Sequence, residues 1–312
     1  MISFRYHVVT IVAVFIALAV GILMGTTLLD QGLVSDLQHR TTSLSNQLNQ
    51  LTRQAKEAQA QAGLMQSFAM GVRPLLVGGR LAGSRVVLVT EEGVDPSDLN
   101  AVRQTLSGPG GAGATIEGVL VLGQRLSLND AQTRQQVAGI LGQDSSDTAS
   151  RLADALARSL ALRLANGPPA VAGETDLMQS LVDAKLLTLS DAREGPGGVG
   201  GGNASVVILS GTTTTLGLSP AGFFLPFIQQ LVTGGTPAVA AEPSTSTIGF
   251  LDAVRADDQV RGRIVTVDDI ELVSGQVALV WGLQGLAAGK GGGDYGIRCG
   301  SCALAPSPLP TP

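Results

Sequence analysis

The sequence predicts an α/β protein in three parts: a single N-terminal transmembrane helix, a coiled-coil stalk, and a domain built on a largely parallel sheet. Three observations carry this. Val8 to Leu29 form an uncharged apolar run, residues 31–72 repeat apolar side chains every seven positions, and from residue 85 short aliphatic runs alternate with helical segments. Boundaries follow at 1–30 for the anchor, 31–72 for the stalk, 73–84 for a linker, 85–298 for the α/β domain and 299–312 for a Pro-rich disordered tail.

The anchor comes first. "VVTIVAVFIALAVGILMGTTLL" holds 22 residues, which at about 1.5 Å per residue span roughly 33 Å, enough for a hydrocarbon core of about 30 Å. It is longer than a signal-peptide core, and no small-x-small cleavage site or lipobox cysteine follows, so it reads as an uncleaved anchor. Arg5 and His7 precede it while Asp30 and Asp36 follow, which predicts a cytoplasmic N-terminus and an extracytoplasmic remainder. Ala13, Ala17, Gly21 and Gly25 recur every four residues, a ladder of small side chains on which two membrane helices can approach closely.

In the stalk, Leu37, Leu44, Leu51, Ala58 and Met65 are spaced by seven. Val34, Leu48, Ala55, Ala62 and Ala69 fill the companion positions, with Thr41 the polar interruption. This heptad pattern predicts a parallel homodimer or higher oligomer whose seam is richest at Leu37, Leu44, Leu48 and Leu51. Alanines replace leucines in the second half, and each buried leucine is worth up to ~2 kcal/mol, so pairing leans on the shared membrane tether. A helix over 31–72 is a rod of roughly 60 Å. Gly71 and Pro74 are predicted to end it.

The body then alternates. Strands are expected at 85–90, 114–123, 186–190, 206–211, 237–243 and 263–269; helices at 95–106, 128–142, 147–165, 219–233 and 274–287. "GPGGAG" from Gly108 and "GPGGVG" from Gly195 fit a dinucleotide fingerprint in letters only. Each precedes a strand and contains a proline, so both are loops. "GLAAGKGG" lacks the spacing and the hydroxyl of a P-loop.

Composition narrows function. The net charge of −5 gives no pull toward nucleic acid, and 3% aromatic residues leave a core of Val, Leu, Ile and Ala. Both histidines, His7 and His39, precede the body, which removes hydrolase and zinc chemistries that rest on imidazole. With no catalytic constellation, a non-enzymatic binding or structural role is expected. Asp268 and Asp269, with Glu271, follow a strand, where α/β folds place ligands, so Asp268 and Asp269 are a candidate binding pair; a solvated acidic face or helix cap is the plainer expectation.

The opening "MISFRYHVVTIVAVFIALAVGILMG", the heptad stalk and the late block "TVDDIELVSGQVALVWGLQGLAAGKGGGDYG" together resemble the actinobacterial MctB family of copper transport proteins. The resemblance covers nearly the whole chain, more loosely in the middle. It implies an envelope protein that serves copper resistance by keeping intracellular copper low, with copper as the candidate ligand. It also implies pore-forming members in the outer membrane, whereas a barrel needs alternating segments and aromatic girdles that these residues do not supply. A similar branch, SteB, implies a different role: a membrane-anchored scaffold working with a cytoplasmic-side partner, SteA, in cell-wall hydrolysis and cell separation. A cell-wall or cytoplasmic-side protein partner is the corresponding expectation.

Cys299 and Cys302 are the only cysteines. Outside the cytoplasm a Cys-x-x-Cys pair can be a local disulfide, idle thiols or a copper(I) clamp, since soft ions select thiolates. The body's one methionine, Met178, adds no soft-ligand cluster.

Overall fold

The computed structural model describes residues 4–144, 146–171, 174–192, 194–211, 218–300 and 302–307, and of residues 4–5 and 26–35 the backbone alone. It divides into two compact units, Met1–Met65 and Gln66–Pro312.

The first unit is helical from Phe4 onward, as part of α1 (Phe4–Val77). Its Tyr6–Gly25 stretch, 20 residues with a mean hydropathy of 2.8, is long and apolar enough to cross a membrane. Beyond the helix's own backbone and the adjacent residues, nothing lies within 4 Å of where a side chain would start on Gly21 or Gly25. Leu37, Leu44, Leu48 and Leu51 are all more than half exposed. The Val34 seam position and the Asp30 flank lie outside the described side chains.

The second unit contains the end of α1 and a seven-stranded sheet in the order β3-β2-β1-β4-β5-β6-β7. The strands are β1 (Arg85–Glu91), β2 (Thr115–Leu122), β3 (Leu187–Ser190), β4 (Ser205–Leu209), β5 (Ala238–Ala241), β6 (Val265–Val267) and β7 (Gly293–Tyr295). All neighbours are parallel except β2 and β3. Strands buried on both faces must be apolar on both, which is why β1, β4 and β5 read as continuous aliphatic runs.

Among the described residues there are eight α-helices: α1, α2 (Pro96–Ser107), α3 (Ala131–Leu141), α4 (Ala149–Asn166), α5 (Leu177–Asp183), α6 (Leu225–Thr233), α7 (Phe250–Ala256) and α8 (Val273–Ala287). One face of the sheet, through Val87, Val89 and Val206, packs on α3 to α7, where Phe224 meets Phe250 at a ring separation of 5.0 Å. The other face, through Val86, Leu88 and Val207, packs on α2, α8 and the root of α1. The β1–β2 crossover through α2 and the β4–β5 crossover through α6 thus run on opposite faces, with a reversal point between β1 and β4 as in doubly wound folds, while the β6–β7 crossover through α8 returns to the α2 face.

Sequence reading placed every strand but β7 and missed α5 and α7, each only seven residues long. It erred at the stalk's end. Gly71 and Pro74 do not stop α1, which continues to Val77. Pro74 falls in the last turn, so a single ladder bond to Met70 is lost, and its ring is received by Gly110, where a Cβ would come within 3.2 Å of it. The "GPGGAG" loop is thus a socket. Gly79 donates to the Gly111 carbonyl at 3.2 Å and Leu81 to that of Ala112 at 2.8 Å. Gly110 sits at φ +70°, a conformation that side chains disfavour.

Three contacts fix the root of α1 on α8. Trp281 Nε1 donates to the Leu76 carbonyl at 2.9 Å, Arg80 Nη1 to Gln284 at 3.2 Å, and Arg73 Nη1 to Gln276 Oε1 at 3.0 Å. Gln276, 2% exposed, also accepts from Thr105 on α2 and donates to the Ile270 carbonyl. A buried amide is tolerated in an otherwise apolar helix because both its ends are used.

Candidate functional site at the carboxyl edge of the sheet

Three parallel strands end in an acid: Glu91 closes β1, Glu242 follows β5, and Asp268 and Asp269 follow β6. None is solvated; their exposures are 3%, 1%, 0% and 0%. The expectation of a solvated acidic face at 268–269 is therefore overturned. Burying an ionised carboxylate is costly unless it is paired and hydrogen-bonded, and the structure supplies partners from distant segments.

Asp268 is the most fully provided. Its Oδ1 accepts from the amides of Ile297 at 2.7 Å and Arg298 at 3.0 Å, and its Oδ2 from Arg255 Nη1 at 2.8 Å. Burial alone would raise its pKa, but the amides of Arg298 and Ile297 and the Arg255 guanidinium outweigh it and hold the group below its ordinary value. Gly296 makes this approach possible. At φ +129° it lies where any Cβ would run into the Asp268 carboxylate.

Glu242 accepts from Arg298 Nη1 at 2.6 Å and from Ser246 Oγ at 3.2 Å, yet burial keeps its pKa raised. Glu91 lies at the reversal point itself, accepting from Ser210 Oγ at 2.5 Å and the Leu218 amide at 2.9 Å. Glu91 thus stands, with both oxygens hydrogen-bonded, at the point where doubly wound folds bind ligands.

Asp269 is provided for less well. Ser274 Oγ donates to its Oδ2 at 2.5 Å, while its buried Oδ1 has no hydrogen-bond partner. Burial, offset in part by Ser274 and reinforced by Asp268 and Glu271, pushes its pKa up to about 6. Asp98, on the first turn of α2, is likewise raised to about 6 by burial, with Asp95 and Glu271 adding to it. Glu271 itself takes the amide and hydroxyl of Ser244. Among the described residues, no group of three or more His, Cys, Asp or Glu is arranged to hold a metal ion.

Described residues between 295 and 305 lie along this edge. Gly296 donates to the Ala303 carbonyl at 3.0 Å, Tyr295 and Ala303 form an isolated parallel bridge, and Ala305 packs against the core. The described part of the predicted free tail is therefore docked; residues 308–312 lie outside the described residues. Cys299 and Cys302 are joined as a disulfide with a Cα–Cα distance of 5.4 Å, one residue beyond Arg298.

Of the residues singled out in the sequence, Asp268 and the cysteine pair come together at this edge through Arg298. The small-residue ladder and leucine seam belong to the first unit. Glu91, Glu242, Arg255 and Arg298 were missed. The signal available was an acid ending each aliphatic run, in "VVLVTE" and "AVAAEP" as in "IVTVDD".

Comparison with known proteins agrees over the full length. The profile of the family described as "Copper transport outer membrane protein, MctB" matches residues 1–306. Relatives named "Copper transporter MctB" include one from Mycobacterium tuberculosis strain H37Rv and one from Mycobacterium bovis. Each is 27% identical over 318 residues, covering 97% of this chain and 99% of the relative. A third, from Mycobacterium leprae, is 26% identical over 324 residues with the same coverage. A match of that extent, over an apolar N-terminal helix and a mixed α/β body, places the chain in the MctB family.

Proposed function

We propose that this chain is a single-pass envelope protein that contributes to copper resistance by limiting intracellular copper. Its N-terminus is cytoplasmic and its α/β domain extracytoplasmic. The observation that carries the copper assignment is the family match along residues 1–306, with relatives named copper transporters that align from end to end. The orientation rests on Arg5 and His7 before the apolar stretch and acids after it. Deletion followed by growth on graded copper tests the assignment. Reduced tolerance with raised cell copper is expected; unchanged tolerance and copper content would sink it.

A second reading is favoured by one structural observation: at the β1–β4 reversal point the buried Glu91 has its oxygens bonded within the protein, to Ser210 and Leu218. A domain that commits this acid to its own framework suits a non-enzymatic scaffold that joins the membrane to a protein partner in the wall or cytoplasm. The exposed leucines at 37, 44, 48 and 51 supply a seam for a parallel homodimer, in the manner of a coiled coil. Single cysteines at positions 37, 44 and 51 should crosslink between copies in membranes; persistent monomer would remove the dimer. Normal cell separation in the deletion strain, with no wall hydrolase co-purifying with the protein from cells that make it, would remove the scaffold role.

A further inference from the structure

We propose that Cys299 and Cys302 form a redox-gated site for one soft monovalent cation of the copper(I) class. It is closed as a disulfide in the structure and opened by reduction. The inference rests on the copper reading above and adds to it a place and a condition.

The geometry points there for three reasons. First, both sulfurs belong to half-buried residues, within reach of solvent yet held on a fixed frame. Second, the frame has anchors besides the disulfide. The loop is entered through Ile297 and Arg298, whose amides are fixed on buried Asp268, and the strand pairing of Gly296 with Ala303 closes it behind. Within it Cys302 donates its amide to the Cys299 carbonyl at 3.1 Å. A site anchored at both ends loses little ordering entropy when an ion is added. Third, the neighbouring guanidinium is already neutralised. Arg298 is paired with Glu242 at 2.6 Å, and Arg255 with Asp268, which reduces the repulsion that a bound cation would meet from them.

The chemistry balances as follows. A dithiol reductant passes two electrons and two protons to the disulfide. The S–S bond breaks, Cys299 and Cys302 become thiols, and the reductant leaves as its own disulfide. Binding of copper(I) then forms two S–Cu bonds and releases both thiol protons. Air or an oxidising envelope restores the closed form, so the site takes metal only where reducing equivalents reach it.

The test uses the full-length protein in detergent, with copper(I) held by a competing chelator as probe. It compares the untreated protein, the protein reduced with a dithiol then freed of it, and a reduced Cys299→Ser/Cys302→Ser variant. Expected are one copper(I) per chain in the reduced protein, none in the untreated protein, and none in the variant. Equal binding by untreated and reduced protein, retention by the variant, or no binding by the reduced protein would each overturn the proposal. Far-ultraviolet circular dichroism on the variant shows that its fold is intact, and Cys302→Ser alone is the fallback if it is not. The two readings separate in cells. A deletion strain with no copper phenotype removes the copper reading whatever the protein binds in vitro. A copper phenotype with no thiol-dependent binding removes only this site.

Discussion

At the carboxyl edge of the sheet β1, β5 and β6 end in buried acids, and segments from as far as residue 298 arrive to pair with them. At the amino edge the same sheet begins among glycine runs and leaves hollows. One of about 380 Å³ lies beside Arg85, Asn203 and Pro237, and another of about 450 Å³ lies beside Arg103, Thr115 and Asp191. Ion pairs exist there too, Arg85 with Glu117 and Arg103 with Asp191, but the arginines are about 40% exposed. The carboxyl edge therefore concentrates its energy in a few desolvated pairs, where losing one partner strands the other. The amino edge holds by backbone shape. In this family member the described residues of the edge that doubly wound folds commonly leave open are buried acids with their partners, and Ala303 and Ala305 lie along it.

The difference can be broken most sharply at Asp268. Asp268→Ala strands Arg255 and two amides, and is expected to cost about 3–5 kcal/mol in denaturant unfolding; a loss below about 1 kcal/mol would mean the network is ornamental. Next comes the amino edge. Gly110→Ala puts a Cβ at φ +70° against Pro74 and should cost about 1–2 kcal/mol, with circular dichroism confirming that α1 is retained.

A third effect is smaller and depends on pH. Asp98 and Asp269 have raised folded pKa values, so the folded state binds protons more tightly than the unfolded chain. Their contribution is then full below the ordinary carboxylate pKa near 4 and is lost as pH rises through about 6. The melting temperature should rise on going from neutral pH to about pH 5, and Asp269→Asn should flatten that rise. A fall over this interval, or an unchanged slope in the variant, would show that these groups are already provided for. Smallest is Arg151→Ala, which removes an exposed helix-surface pair with Asp147 and should cost no more than about 0.5 kcal/mol.

How much of this could be read in the letters differs between the same two edges. The strands were legible because burial on both faces demands unbroken aliphatic runs, as in "RVVLVT" and "VVILSG". The glycine runs were legible as loops because proline and position excluded a phosphate site. What they hold, the root of α1, was not, since nothing local in "GPGGAG" names Pro74 as its neighbour. The acids were visible as charges, but their burial was not. A carboxylate is affordable inside only when its partner arrives, and for Asp268 the partners lie 13 and 30 residues away in sequence. The tail misled for the same reason. "CGSCALAPSPLPTP" has the composition of free chain, and only Asp268 and Tyr295 give it somewhere to dock.

Gln276 carries a consequence for how the molecule bears load. One amide group receives the root of α1 through Arg73 and α2 through Thr105, and its other end grips the backbone at Ile270, next to Asp269. A pull or twist on those last turns of helix is therefore not absorbed at the domain's skin. Part of it is handed through this one amide to the interior, two helices and the acidic turn sharing the strain together.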